Sequence, residues 1–313
     1  MKSSAVSEPF AAFMQRALFD PQRGYYTRHI KTVGARGDFS TSATLSPALG
    51  KGVATCLKGE SKLKPRVRHI IEIGAGDGSL MRQVRRSLGV WGRWRFHFHI
   101  VETSPVLRQQ QQRLLGTKIH WHEDLEAALA SAEGEAFIYH NELLDAFPAV
   151  LAEWQNGQWH EVWVPEQLQP LSLDPAPFSA FSYLSFQNGQ RCEIHASVRS
   201  WLQNWLPHWK SGSMLTIDYG DLFPQLYHRR PKGTLRGYFM HQRLYWPDLL
   251  ANPGRQDITA DINFTDYRAW LQEFGCEEAS FQTMAHFFPS DGSQLADLDG
   301  AGTAFKCLVH RKG

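Results

Sequence analysis

The chain has 313 residues, of which 42% are apolar and 20% charged. These are ordinary globular proportions with enough length to bury a sizeable core. The formal net charge of +2 gives no support to a nucleic-acid partner. Four separated cysteines, Cys56, Cys192, Cys276 and Cys307, form no C-x-x-C pair, which argues against a cysteine-ligated zinc; free thiols in a reducing compartment fit better, and no metal site is expected.

In chain order, the first periodic segment is 7–19, a helix with Phe10, Phe13, Met14, Ala17 and Leu18 on one face and Ser7 and Glu8 at its start. "DPQRGYY" ends it with turn chemistry. "VGARGDFSTSATLSP" (33–47) is polar, glycine-rich and aperiodic, and is long for an idle loop. An α/β rhythm follows. His69–Ile73 is a buried strand, 79–88 an amphipathic helix and 96–102 a strand, and Ser104-Pro105 opens a helix over 105–115. Residues 118–122 and 135–142 read as further strands around a helix in "DLEAALASA". This alternation predicts a mostly parallel, doubly wound α/β sheet.

The rhythm breaks at 149–164, where Asn156-Gly157 signals a hairpin. Residues 165–190 read as an insertion, and 198–206 as a helical stripe. A fifth core strand is expected at 213–221, then an irregular stretch over 222–263. Thr265 caps a helix that Gly275 stops. Two strands at 278–284 and 303–311 finish the chain as an antiparallel pair. No apolar run approaches the ~18 residues that cross a bilayer, and no signal peptide or mitochondrial presequence is apparent, so a cytoplasmic protein without membrane insertion is expected.

The most informative stretch is "HIIEIGAGDGSL", His69–Leu80. Gly74, Gly76 and Gly78 follow a strand and precede a helix, so backbone there can approach a ligand closely. The third glycine falls one residue early for a dinucleotide fingerprint, and no Gly-Lys-Ser/Thr follows as a P-loop needs. Glu72 would repel a nearby pyrophosphate and favours a ligand with a cationic or zwitterionic group. At later strand ends stand Glu102 with Thr103, Asp124, and Asn141 with Glu142. A carboxylate at 102 suits a ribose, Asp124 suits an adenine amino group, and ligands of such sheets bind outside the carboxyl ends of the strands. For Asp124 a helix cap is the competing reading.

Glu72-x-Gly74-x-Gly76-x-Gly78 resembles the glycine motif of class I S-adenosylmethionine (SAM)-dependent methyltransferases. The resemblance narrows further. "FAAFMQRALFDPQRGYY", "ARGDFSTSATLSP", "IEIGAGDGSLMRQV", "IVETSPVLRQQQ", "NELLDAFP", "IDYGD" and "DITADINFTDY" are together similar to segments of the NDUFAF7/MidA family, the mitochondrial complex I assembly methyltransferases and their bacterial relatives. Ser40 replaces the first Thr of that family's Gly-Asp-Phe-Thr-Thr-Ser loop, and departures concentrate in 165–210 and 222–256.

The resemblance implies an N-terminal helix and loop segment over 1–66, then a SAM-dependent methyltransferase domain over 67–313 with insertions near 150–210 and 222–263. It also implies SAM as cofactor, held by Glu72, Gly74, Gly76, Gly78, Glu102, Thr103, Asp124 and Asn141. The implied reaction is arginine N-methylation of a protein substrate, a respiratory complex I subunit in the mitochondrial case. The double-glutamate loop and Thr-His-Trp signatures of other arginine methyltransferases are not evident.

Chemistry gives the same candidates. A guanidinium is a poor nucleophile whose planar fork matches carboxylates, so an enzyme acting on it wants carboxylates beside the transferred methyl group. Glu142 and Asp145 are the expected catalytic pair; Asp38, Phe39 and Tyr26 are expected at the substrate. Asp145 as a helix cap and Asp38 as an Asx-turn remain alternatives, as do a small-molecule methyltransferase and an assembly factor that binds SAM without turnover.

Overall fold

A computed structural model describes residues 7–29, 47–174, 176–182, 186–240, 242–288, 297 and 300–313. The elements run β1 (Glu8–Pro9), α1 (Phe10–Phe19), α2 (Ala48–Leu63), β2 (His69–Ile73), α3 (Ser79–Arg95), β3 (His97–Val101), α4 (Pro105–Leu115), β4 (His120–His122), α5 (Leu125–Ser131) and β5 (Glu135–Asn141). Then come β6 (Val150–Gln155), β7 (Gln158–Val164), β8 (Gln167–Pro170), β9 (Arg191–Ile194), α6 (Ala196–Trp205) and β10 (Ser211–Asp221). The chain ends with β11 (Arg236–Phe239), β12 (Gln242–Leu244), β13 (Asp257–Thr259), β14 (Ile262–Asn263), α7 (Phe264–Glu273), β15 (Glu277–Thr283) and β16 (Phe305–Lys312).

These elements divide between two compact units. The larger contains 30–143, 202–219 and 270–313, and its sheet has the order β15-β16-β10-β5-β2-β3-β4. β10, β5, β2, β3 and β4 are parallel, and β16 runs antiparallel between β10 and β15. The doubly wound class expected from the alternation is therefore present, with the antiparallel pair where the last two apolar runs placed it. β2 lies between β3 and β5, so the strand order reverses there, and the carboxyl ends of β2 and β5 flank a topological switch point. Ile70, Phe98, Ile100, Tyr139 and Leu215 are buried in the core with Leu49, Val53 and Leu57 of α2 and Leu80, Met81 and Val84 of α3.

Local chemistry explains the helix starts. Ser104 caps α4 by accepting from the Leu107 N–H at 3.5 Å, with Pro105 at the first helical position. Asp124 caps α5 by accepting from the Ala127 N–H at 2.7 Å. Across β2, β3 and β4 three histidines form a chain. His69 Nδ1 lies 2.9 Å from His99 Nε2, and His99 Nδ1 lies 3.0 Å from His122 Nε2.

The smaller unit contains residues up to 29, 144–201 and 220–269. One sheet runs β1-β7-β6-β9 with β8 on β7, and a second runs β12-β11-β13. The Asn156-Gly157 hairpin joins β6 to β7, both residues at positive φ (52° and 84°).

The structure departs from the sequence reading in several places, β8 and β9 among them. Glu8 and Pro9 pair with Val164 and Trp163 as a strand rather than opening α1. α2 was not anticipated. α3 continues past Leu88 to Arg95 across a break at Gly89 (φ 71°). The 222–263 stretch, expected to be irregular, holds β11 to β14. No helix among the described residues is long and apolar enough to cross a membrane.

Candidate functional site

After Ile73 the backbone turns through Gly74 (φ 66°), Gly76 (55°) and Gly78 (83°). All three lie in the left-handed region that favours glycine. A Cβ on Gly78 would approach Gln111 Cγ and Leu115 Cδ1 to 3.3 Å, so the turn packs directly on α4. Asp77 opens α3, accepting from the Ser79 N–H and hydroxyl, each at 2.8 Å.

Glu102 is buried just beyond the end of β3. One carboxylate oxygen accepts from the Ser104 N–H at 2.9 Å and the other from the Gln111 side-chain amide at 2.9 Å. Burial raises its pKa, against the opposing pull of these bonds. Gln111, fully buried, also donates to the Gly76 carbonyl at 2.8 Å and accepts from the Trp121 indole at 3.1 Å. The sequence reading missed Gln111. The only available signal was its phase, since it sits four residues after Leu107 and four before Leu115 on the buried face of α4.

Glu72 is turned into the core beneath the turn. Its carboxyl accepts from the Tyr139 hydroxyl at 2.9 Å. Burial pushes it up to about 8, although that hydrogen bond pulls the other way. That upward shift favours the protonated carboxyl, which weakens the repulsion of a pyrophosphate expected from Glu72. Thr103 is exposed beside Glu102, and exposed Asp124 follows β4. Asp124 does make the helix cap; that bond engages one carboxylate oxygen.

Asn141 closes β5, and its side-chain amide donates to Glu142 at 3.0 Å. Glu142 has φ 51°, a conformation rare outside glycine, asparagine and aspartate. Its N–H donates to the Ile217 carbonyl at 3.0 Å, and the next N–H, of Leu143, donates to the buried Asp218 carboxylate at 3.2 Å. These bonds from β10 fix the strained backbone and set the direction in which Glu142 leaves the sheet.

Asp145 and Tyr26 belong to the smaller unit. Asp145 is buried, and its carbonyl accepts from the Ala260 N–H at 2.9 Å. The Tyr26 hydroxyl donates to Asp257 at 2.7 Å. Burial, then the charges of Asp257 and Asp145, raise the phenol well above its ordinary value. Arg236 pairs with Asp261, and the Asp145 charge also helps keep it protonated. Asp145 thus lies in a buried acidic pocket with one tyrosine and one arginine. Asp38 and Phe39 lie outside the described residues. Among the described residues no cluster of His, Cys, Asp or Glu can hold a metal ion.

Positive-φ glycines at the switch point, with a buried carboxylate at the next strand end, suit a ligand that brings both a backbone-hugging polar end and a ribose. The sheet and this turn together have the architecture of a class I, Rossmann-like methyltransferase. A family model described as "putative S-adenosyl-L-methionine-dependent methyltransferase" matches residues 49–282, and the chain belongs to that family. Its cofactor is SAM.

Relatives carry a narrower name. The "protein arginine methyltransferase NDUFAF7 homolog, mitochondrial" of Drosophila melanogaster is 27% identical, covering 96% of this chain and 80% of its own. NDUFAF7 of Xenopus tropicalis is 27% identical over 83% of this chain, which spans just 66% of the frog protein. Among solved structures, a Burkholderia thailandensis protein bound to S-adenosyl-homocysteine superposes with a TM-score of 0.84 at 23% identity, over 98% of this chain and 88% of that one.

Proposed function

We propose that this methyltransferase acts on arginine side chains of a protein substrate, with the cofactor held at the carboxyl ends of β2 to β5. The observation that carries the cofactor assignment is the positive-φ glycine turn tied by Gln111 to buried Glu102. In this reading Gly74, Gly76 and Gly78 admit the amino-acid end of SAM, above the Glu72 that braces the turn. Glu102, beside Thr103, accepts from the ribose hydroxyls with lone pairs that Ser104 and Gln111 leave over. Asp124 takes the adenine amino group, and Asn141 lies toward the methyl end. Bound there, SAM supplies a sulfonium-activated methyl group.

The protein's own task is then mostly positioning. Glu142 and Asp145 are the proposed catalytic carboxylates, whose charge would orient a guanidinium nitrogen and steady the charge that develops. Asp38, Phe39 and Tyr26 flank the acceptor. Tyr26 contributes its ring face, because its hydroxyl is engaged by Asp257. The family resemblance points to a respiratory complex I subunit as the acceptor.

Mass spectrometry of the respiratory complex from a deletion strain tests the acceptor. The expected result is loss of a methylarginine that the plasmid-borne gene restores. An unchanged pattern would remove that acceptor, and failure of the purified protein to transfer labelled methyl to any protein in the deletion lysate would favour a binding factor without turnover.

A further inference from the structure

The candidate cofactor site uses the carboxyl ends of the parallel strands. The opposite end of the larger unit carries a surface that this function leaves unused. Beyond its break at Gly89, α3 ends in a turn on which Val90, Trp91 and Trp94 are 71%, 83% and 83% exposed. Leu63, the last residue of α2 before the connection to β2, is 61% exposed. Two bonds hold these segments together. The Arg95 guanidinium donates to the Pro65 carbonyl at 3.3 Å, and the His97 N–H donates to the Arg68 carbonyl at 2.9 Å. Among the described residues, four of the eight exposed large hydrophobic side chains fall on these two short segments. Two indoles, each 83% exposed and three residues apart, are not what a surface needs for solubility.

The charge there is one-sided. Residues 62–68 and 85–97 contain eight Lys or Arg and no Asp or Glu, in a chain whose net charge is +2. Arg85 is engaged by the Leu115 carbonyl and the Phe98 ring, and Lys64 by the carbonyls of the last two residues. Lys62, Arg66, Arg68, Arg93 and Arg95 are exposed around the apolar side chains.

We infer that this surface docks on an anionic lipid bilayer. Indole rings partition to the depth of lipid headgroups, where ring and N–H are both satisfied. Arginines beside them meet lipid phosphates, and the combination of apolar anchors with a basic rim is what a peripheral membrane contact requires. An acidic protein surface would satisfy the cations but not two protruding indoles without pockets to receive them. Since β2 and β3 start from this surface, docking leaves the candidate cofactor site at the far ends of the strands, roughly 17 Å away, facing water.

Vesicle flotation with the full chain tests this. The probes are phosphatidylcholine vesicles with and without about 30% phosphatidylglycerol at low salt. The wild type should float with the anionic vesicles only, and added salt should release it. Trp91→Ser/Trp94→Ser should weaken partitioning at least tenfold, with an unchanged melting temperature and an unchanged shift on adding S-adenosylhomocysteine. Arg66→Gln/Arg93→Gln should weaken it roughly fivefold per charge removed, and carries the test should the tryptophan variant misfold. Absence of flotation, equal flotation with neutral vesicles, or Arg66→Gln/Arg93→Gln behaving as wild type would overturn the inference. So would a wild-type dimer in light scattering that the tryptophan variant converts to monomer, since the patch would then face a second copy.

Discussion

The side-chain amide of Gln111 donates to both the Glu102 carboxylate, at 2.9 Å, and the Gly76 carbonyl, at 2.8 Å. One buried side chain thereby fixes the spacing between the glycine turn after β2 and the acidic end of β3. In the proposed complex these two points hold the amino-acid end and the ribose of the same ligand. Gln111→Leu keeps the volume and removes the link. It leaves the Trp121 indole without its acceptor and Glu102 with one donor fewer, at a cost of about 1–3 kcal/mol. Calorimetric titration should show S-adenosylhomocysteine affinity reduced about tenfold or more, alongside a lower melting temperature. Full affinity in the variant would show that the turn and Glu102 are positioned independently of Gln111.

Glu72 gives a pH dependence with a definite sign. Its folded pKa, about 8, lies above the ordinary 4.5. Between these values the folded state holds a proton that the unfolded state has released. The contribution is therefore full below about 4.5 and is lost as pH rises toward 8. Glu72→Gln imitates the protonated carboxyl. Denaturant titrations from pH 5 to 8.5 should show the variant's stability falling less steeply than that of wild type. Parallel curves would place the carboxylate's proton elsewhere.

The histidine chain gives the opposite sign. Burial, then the neighbouring imidazoles, lowers His99 to about 3, and burial lowers His69 and His122 as well. The surrounding charges are Glu133 and Glu135 near His69, and Arg108 and Asp124 near His122. Unfolded imidazoles take up protons near 6.5 that the folded chain excludes, so stability is full above about 6.5 and declines as pH falls from there toward 3. His99→Leu removes the most buried member. Its stability between pH 6.5 and 4 should decline less steeply than the wild type's, and an equally steep decline would mean that other groups set the acid limit.

Glu142→Gln and Asp145→Asn separate binding from transfer. Both should retain S-adenosylhomocysteine binding. Methyl transfer should fall by at least a hundredfold in each, because a neutral amide neither orients a guanidinium ionically nor steadies charge in the transition state. Undiminished transfer in both would remove them from the catalytic role.

Much of this arrangement was legible in the sequence because strand ends carry polar punctuation. The apolar run before Gly74, the Ser104-Pro105 cap and the Asn156-Gly157 hairpin each state their own local geometry. α2 was not legible. It contains Gly50, Gly52 and Gly59, which lower helix propensity, yet a Cβ on Gly52 would lie 1.7 Å from the Phe288 ring and one on Gly50 2.2 Å from Gln83 Cβ. Those two glycines serve tertiary packing that no local pattern encodes. Gln111 was hidden for a related reason. Four consecutive glutamines, Gln109 to Gln112, look alike until the turn and Trp121 select one of them. The acidic pocket of Asp145, Tyr26 and Asp257 joins residues from three distant stretches of chain, and only folding brings them together.

Calorimetric titration of the full chain with S-adenosylhomocysteine tests the cofactor assignment most directly. The expected result is saturable binding at one site per chain that Gly76→Val abolishes, since a β-branched residue resists the φ of 55° held there. Binding of NADH with no response to S-adenosylhomocysteine, or undiminished binding in a folded Gly76→Val protein, would contradict it.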